Sequence, residues 1–196
     1  MSLLVFLLHC GPLLGMAAFL ASLGGRLGKQ LPAILRPYLL ISLFILLAAL
    51  YIFRTVSRLN LALFLALSFS SGLVVTQFIP LTSYRGAWFT LTAGILLSCL
   101  LGFWWRGRLL WGPKLFLPLI MLYALGWPLV AFLNWGTWVI PTWSSLGLLL
   151  FGLLAVWLLS EARHALPEDY VPLASDLFIA YFNIFLIGSL LPGGLA

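Results

Sequence analysis

The sequence has very little charge, and its acidic residues are confined to one end. Of its 196 residues only 7% are charged, whereas 64% are hydrophobic. A water-soluble domain of this length could not cover its surface with so few charged side chains. The first 160 residues contain no aspartate or glutamate, so any chemistry that needs a carboxylate falls to the C-terminal segment. The composition predicts an integral membrane protein, with the lipid bilayer as a partner.

Histidine and cysteine are also scarce, which excludes several kinds of site. With only His9 and His164, and no carboxylate before residue 161, a Ser/His/Asp set is not expected, and the protein is not predicted to be an enzyme. Cys10 and Cys99 lie in apolar runs without a CxxC spacing, so no metal site is predicted. A membrane subunit that binds a cofactor through axial ligands would need more candidate ligands than His9 alone. No cofactor is therefore predicted.

Long apolar runs fill almost the whole chain. A hydrocarbon core of about 30 Å needs roughly 20 apolar residues per helix, and short polar breaks divide the sequence into seven such runs. We therefore predict an all-α fold, a polytopic bundle of seven transmembrane helices that forms a single domain over residues 1–196. The predicted spans are residues 3–23, 37–53, 61–81, 86–105, 115–133, 144–160 and 171–191.

The basic residues lie at the ends of these runs and predict the orientation of the bundle. They are not interleaved with aromatic residues in a groove, so nucleic acid is not a predicted partner. Six lie in the connections after spans two, four and six: Arg54, Arg58, Arg106, Arg108, Lys114 and Arg163. Four lie on the other side: Arg26, Lys29, Arg36 and Arg85. Because basic residues favour the cytoplasmic side, this count predicts a cytoplasmic N-terminus.

Small residues recur inside the predicted spans. Gly72 lies in "LSFSSGLVV", and Gly147 and Gly152 lie in "SSLGLLLFG". Small residues let membrane helices approach one another closely. These three glycines are therefore predicted to be packing residues.

Asp176 is the one carboxylate inside a predicted span, and three interpretations of it remain open. In the first, it lies at headgroup depth near the positive N-terminal end of its helix. In the second, it lines the bundle interior with Ala180 and Asn183, which follow at helical spacing, and binds a proton or a cation. In the third, it is a structural latch that pairs with an arginine. The candidate arginines are Arg54, Arg58 and Arg163.

Three of the predicted spans resemble a known family. "SSLGLLLFGLLAVWLLSEARHA" (residues 144–165) and "DYVPLASDLFIAYFNIFLIGSLL" (residues 169–191) resemble the last two helices of the Bax-inhibitor family, the transmembrane Bax inhibitor motif proteins. "AYFNIFL" takes the place of the family's "DFINLFL", with Asn183 on the family asparagine. "LALFLALSFSSGLVVTQFIPL" (residues 61–81) resembles the third helix, with Gly72 on the family glycine. The resemblance implies a seven-helix fold in a bacterial-type inner membrane or another internal membrane.

The carboxylates that the family uses are largely missing from this chain. The resemblance implies two membrane-embedded aspartates, on the last two helices, that act as a pH-sensitive latch for a Ca²⁺ leak. Ala180 and Leu158 stand at those two positions, although a small shift of the alignment would bring Ser160 or Glu161 to the second. Ser71 stands at the glutamate of the third span.

Two functions are therefore expected from the sequence. In one, the bundle is a pH-sensitive Ca²⁺ or proton leak channel of the Bax-inhibitor type, with Asp176, Glu161 and Asn183 as a relocated ion-sensing or proton-sensing site. In the other, it is an accessory, assembly or quality-control factor bound to another membrane protein complex. The missing aspartates favour the second function.

Overall fold

Seven α-helices make up almost all of the described chain. The structure, a computed structural model, describes residues 3–78, 84–104, 112–133, 136–162, 164–166 and 169–190, and no β-strand occurs among them. The helices are α1 (Leu3–Gly28), α2 (Arg36–Ile52), α3 (Ser57–Phe78), α4 (Tyr84–Trp104), α5 (Gly112–Leu133), α6 (Gly136–Glu161) and α7 (Tyr170–Leu190). A short 3₁₀ helix (Ala33–Leu35) precedes α2. The predicted all-α fold is confirmed.

Five helices in the described part of the chain are long and apolar enough to cross a membrane. Their apolar stretches are Leu8–Gly28, Ala33–Ile52, Arg58–Gln77, Val139–Glu161 and Tyr170–Ser189. α4 contains a shorter apolar stretch, Gly86–Gly102. These lengths match the roughly 20 residues that a bilayer core requires, and they are compatible with a multi-pass membrane protein.

Two helices extend well beyond their predicted limits. α1 continues to Gly28 instead of ending at residue 23, and α6 begins at Gly136 instead of residue 144. In α1 the additional turn contains glycines that pack against α3, and that contact compensates for their low helix propensity. In α6 the additional turns include Trp143, whose ring stacks on Tyr123 of α5. Tertiary contacts thus extend both helices.

The chain divides into two compact units. The first contains α1, α2, α3 and α7 as far as Phe178, and the second contains α4, α5, α6 and α7 from Ile179. The predicted single domain over the whole chain stays a prediction.

In the first unit, α1 and α3 run parallel and approach at backbone distance. Gly24 of α1 faces Phe69 of α3, and one turn further along Gly28 faces Thr76. The N-terminal part of α7 lies beside the N-terminal part of α1, where the Cys10 thiol contacts the Tyr170 carbonyl oxygen at 3.6 Å. α1, α3 and the start of α7 therefore have their N-termini at the same end of this unit.

In the second unit, α5 and α6 run antiparallel and pack against each other through aromatic side chains. Phe116 near the start of α5 lies 5.7 Å, ring to ring, from Trp157 near the end of α6. Tyr123, further along α5, stacks on Trp143 near the start of α6, with ring centroids 5.4 Å apart and planes 5° from parallel. A Cβ on Gly126 would collide with the Trp143 ring, so this glycine makes room for it.

The part of α7 in the second unit packs antiparallel to α4. Trp88 near the start of α4 meets Phe185 edge-on at 5.4 Å, and Ser98 nearer its end shares a 2.8 Å hydrogen bond with Tyr181. α4 and α6 run parallel, because Gly102 at the end of α4 faces Leu159 at the end of α6. In the first unit α2 and α3 also run antiparallel, because Arg36 at the start of α2 bonds to Gln77 near the end of α3 and Asn60 near the start of α3 bonds to Leu50 near the end of α2. Within each unit, contacting helices of odd and even number therefore run in opposite directions.

Candidate functional site

Asp176 forms an ion pair with Arg54. An Nη2 atom of Arg54, in the connection between α2 and α3, donates to Oδ2 of Asp176 on α7 at 2.7 Å. The side chains remain 45% and 30% exposed respectively, so the pair lies at the edge of the first unit. This geometry matches the latch interpretation, and it selects one of the three candidate arginines. Arg58 is exposed at the start of α3, and Arg163 lies outside the described residues.

Asn60 fixes the main chain on which Arg54 is carried. Asn60 is fully buried on α3, and its Nδ2 donates to the Arg54 carbonyl oxygen at 3.4 Å and to that of Leu50 at 3.5 Å. Both bonds are long, but they lead to carbonyl groups near the C-terminal end of α2 that lack helical partners. Asn60 therefore holds the backbone of the connection, while Asp176 holds the Arg54 side chain.

The α7 segment that presents Asp176 is anchored on both sides. Ala174, Ser175 and Leu177 are buried, so Asp176 occupies the only partly exposed position in this short stretch. Phe178 meets Phe64 of α3 edge-on, with ring centroids 5.7 Å apart and an interplanar angle of 76°. The part of α7 that carries the carboxylate is thus held by contacts that do not involve the guanidinium.

The ion pair limits what this site can do chemically. A carboxylate that already binds a guanidinium is neutralised, so it attracts a cation less strongly than an isolated carboxylate does. The pair instead ties the α2–α3 connection to α7. Among the described residues, no group of three or more histidine, cysteine or acidic side chains is arranged to hold a metal ion.

The other two candidate ion-site residues lie in the second unit. Glu161 is the last residue of α6 and is partly buried. Asn183 is also partly buried, and its Nδ2 donates to the Ile179 carbonyl oxygen of its own helix at 2.8 Å. One of the two amide hydrogens is therefore bonded within α7. The sensing roles of both residues stay predictions.

The positions that correspond to the family carboxylates are buried. Ala180 is 0%, Leu158 is 2% and Ser71 is 1% exposed. The Ser71 hydroxyl donates to the Ser68 carbonyl oxygen of its own helix at 2.7 Å. A carboxylate at any of these positions would have to be buried as well, whereas this chain places uncharged side chains there.

The three predicted packing glycines behave differently. A Cβ on Gly72 would collide with the carbonyl oxygen of Ala21 on α1, and a Cβ on Gly147 would collide with the hydroxyl of Tyr123 on α5. At Gly152, an added Cβ would meet no atom of the described residues within 4 Å. Close helix packing therefore explains glycine at the first two positions and gives no reason for it at the third.

Sequence reasoning missed the packing glycines at the end of α1. Gly24 and Gly28 both face the backbone of α3, and a Cβ on either would collide with it. The available signal was the spacing of Ala17, Ala21, Gly24 and Gly28, which recurs every three or four residues as on one face of a helix. The predicted first span ends at residue 23, so Gly24 and Gly28 fall outside it and this face was not recognised.

Comparisons with known proteins identify no family for this chain. No protein-family model matches it, and no curated protein matches it. The Bax-inhibitor resemblance depends on the residues quoted above and stays a prediction.

Proposed function

We propose that this chain is a seven-span integral membrane protein with a Bax-inhibitor-like fold and a cytoplasmic N-terminus. The helix directions support seven crossings, because contacting helices of odd and even number run in opposite directions within each unit, as successive crossings must. α4 and α5 are the two helices without a full-length apolar stretch in the described residues. In this proposal both cross the bilayer.

Reporter fusions test this topology. Reporters placed after Phe53 and at Asp169 should lie on the same side as the N-terminus, and a reporter at Gln30 should lie on the opposite side. If reporters at the N-terminus and at Asp169 lie on opposite sides, the count of seven crossings is wrong.

We further propose that the protein acts as an accessory, assembly or quality-control factor bound to another membrane protein complex. The observation that carries this proposal is the Arg54–Asp176 ion pair, because the one carboxylate inside a predicted span is engaged in holding two chain segments together. A cation or proton leak of the Bax-inhibitor type would need a carboxylate available to the ion. An engaged latch supports a scaffold that acts through its surface.

The lipid-facing helices would provide that surface. α2 fully buries only Leu50, and large apolar side chains such as Phe44, 67% exposed, project from it. Packing of such side chains and of small residues against a partner's helices would supply the affinity. The basic connection at residues 106–114 and the acidic connection at residues 161–170 would add charge complementarity at the membrane edge. Of these, residues 106–111, 163, 167 and 168 lie outside the described residues.

Native-gel electrophoresis and mass spectrometry after mild detergent solubilisation test this function. The protein should co-migrate with a larger integral membrane complex. A photo-crosslinking residue at Phe44 should capture a partner subunit, whereas the same residue at Phe64, which is 0% exposed, should capture none and serves as the matched control. Migration only as a monomer or homo-oligomer in several mild detergents would refute the proposal.

The partial exposure of the ion pair favours one alternative, a pH-sensitive Ca²⁺ or proton leak. Because Arg54 lies in a connection between helices and both side chains are partly exposed, this alternative has water reach the latch and compete with it. In proteoliposomes, Arg54→Gln should then release the carboxylate and increase flux, and Asp176→Asn should abolish the pH dependence. Flux equal to that of empty liposomes between roughly pH 6 and 8 would exclude the leak.

A further inference from the structure

A cluster of three cations surrounds the turn that joins α1 to α2 (residues 29–35). Arg26 lies in the last turn of α1, Lys29 follows its end, and Arg36 begins α2. All three residues are exposed. No acidic residue occurs in this part of the chain, because the first carboxylate is at residue 161. We name these three residues the turn cluster.

Within the first unit, Asp176 lies too far from the turn cluster to neutralise it. Asp176 pairs with Arg54, which follows the opposite end of α2. α2 has 17 residues, and at 1.5 Å per residue it separates the two ends by about 25 Å. That distance exceeds the screening length of about 8 Å at physiological ionic strength. The charge of the turn cluster therefore remains available to an anion.

Arg36 is fixed in an electrostatically unfavourable position. Its Nε donates to Oε1 of Gln77 at 3.2 Å, and Nε2 of the same glutamine donates to the carbonyl oxygens of Gly28 and Leu31. Gln77 thus attaches the guanidinium to the turn. α2 has no side-chain cap and no acidic residue in its first turn, so a cation lies at the positive end of the helix without compensation. A bound anion would supply that compensation.

Apolar side chains flank the turn cluster and indicate what kind of anion fits. Leu27 is 44%, Ile34 is 75% and Tyr38 is 66% exposed. A soluble anion would gain nothing from these side chains, whereas an amphiphile would bury them beneath its headgroup. Basic residues next to membrane helices attract anionic headgroups by about 1 kcal/mol each where the leaflet is rich in anionic lipid, and in the topology proposed above the turn cluster faces the non-cytoplasmic leaflet.

We propose that the turn cluster binds the phosphate of an anionic phospholipid, with Arg36 and Lys29 as its ligands and Leu27, Ile34 and Tyr38 against its acyl chains. The proposal depends on the membrane-spanning architecture proposed above, but it does not depend on the accessory role.

Lipid titration of the purified full-length protein, followed by native mass spectrometry, tests the site. Phosphatidylglycerol should bind in preference to phosphatidylcholine, and added salt should weaken its binding. Lys29→Gln and Arg36→Gln should each weaken phosphatidylglycerol binding about fivefold and leave phosphatidylcholine binding unchanged. Arg36→Lys keeps the charge and should restore most of the affinity. Arg58→Gln, at an exposed arginine on α3, is the matched control and should have little effect.

Three results would overturn the proposal. The first is unchanged phosphatidylglycerol binding in the Lys29/Arg36 double variant. The second is an equal loss in Arg58→Gln, which would indicate a general effect of charge. The third is displacement of the lipid by inorganic phosphate at matched ionic strength, which would indicate a soluble ligand. Alkaline carbonate extraction distinguishes failure of the lipid-site proposal from failure of the membrane-spanning architecture. A protein that stays in the membrane pellet but shows no lipid preference spans the membrane and lacks only the lipid site.

Discussion

Replacing Gly72 with alanine tests the closest helix contact of the first unit. The added Cβ would collide with the Ala21 carbonyl oxygen and would come within 2.9 Å of the Gly25 backbone nitrogen. Both are backbone atoms of α1, so no side-chain rotation can relieve the collision. α1 and α3 would have to separate along their shared face, which also includes Gly24 and Gly28.

The expected loss of stability follows from two opposing effects. Overpacking of a close contact costs about 1–3 kcal/mol, and a collision between backbones belongs at the upper end of that range. Alanine is favoured over glycine in a helix interior by roughly 0.5–1 kcal/mol. The net expectation for Gly72→Ala is therefore a loss of about 1–2 kcal/mol.

Gly152→Ala is the matched control, because its Cβ would meet no atom within 4 Å. Only the gain in helix propensity applies there, so this variant should be stabilised by roughly 0.5–1 kcal/mol. Thermal unfolding in mild detergent can be followed with a thiol-reactive dye in a Cys99→Ala background, which removes the partly exposed second thiol. Cys10 is 0% exposed and then reacts only when α1 separates from its neighbours. A Gly72→Ala protein that melts at or above the temperature of the unsubstituted protein would refute the close α1–α3 approach.

Two further predictions concern polar contacts. For the ion pair, Arg54→Gln and Asp176→Asn should each lower the stability of the protein, and the double variant should lose less stability than the sum of the two single losses. The coupling should be about 0.2–1 kcal/mol because both side chains are partly exposed. Strictly additive losses in the same melting assay would contradict the latch. For two buried serines, Ser144→Ala should be neutral or stabilising because its hydroxyl has no hydrogen-bond partner among the described residues. Ser98→Ala should cost about 1 kcal/mol because it removes the bond to Tyr181, and equal effects at the two positions would contradict the described hydrogen bonding.

The helical class and the approximate helices follow from the sequence alone. Runs of about 20 apolar residues almost without charge satisfy their backbone hydrogen bonds as helices in a bilayer, so composition and length were sufficient to predict all seven. The sequence also singled out Asp176, because it is the one carboxylate within an apolar run.

Only the tertiary structure decided which side chains meet. Helices that are apolar on every side carry no periodic signal for the buried face, so nothing in the sequence separated Gly72, which contacts a neighbouring backbone, from Gly152, which faces open space. For the same reason, the sequence could not decide which of three candidate arginines pairs with Asp176. Arg54 lies 122 residues away along the chain, and it reaches Asp176 only because α1, α3 and the start of α7 share one end of their unit. That arrangement is a property of helix packing, which local residue patterns do not encode.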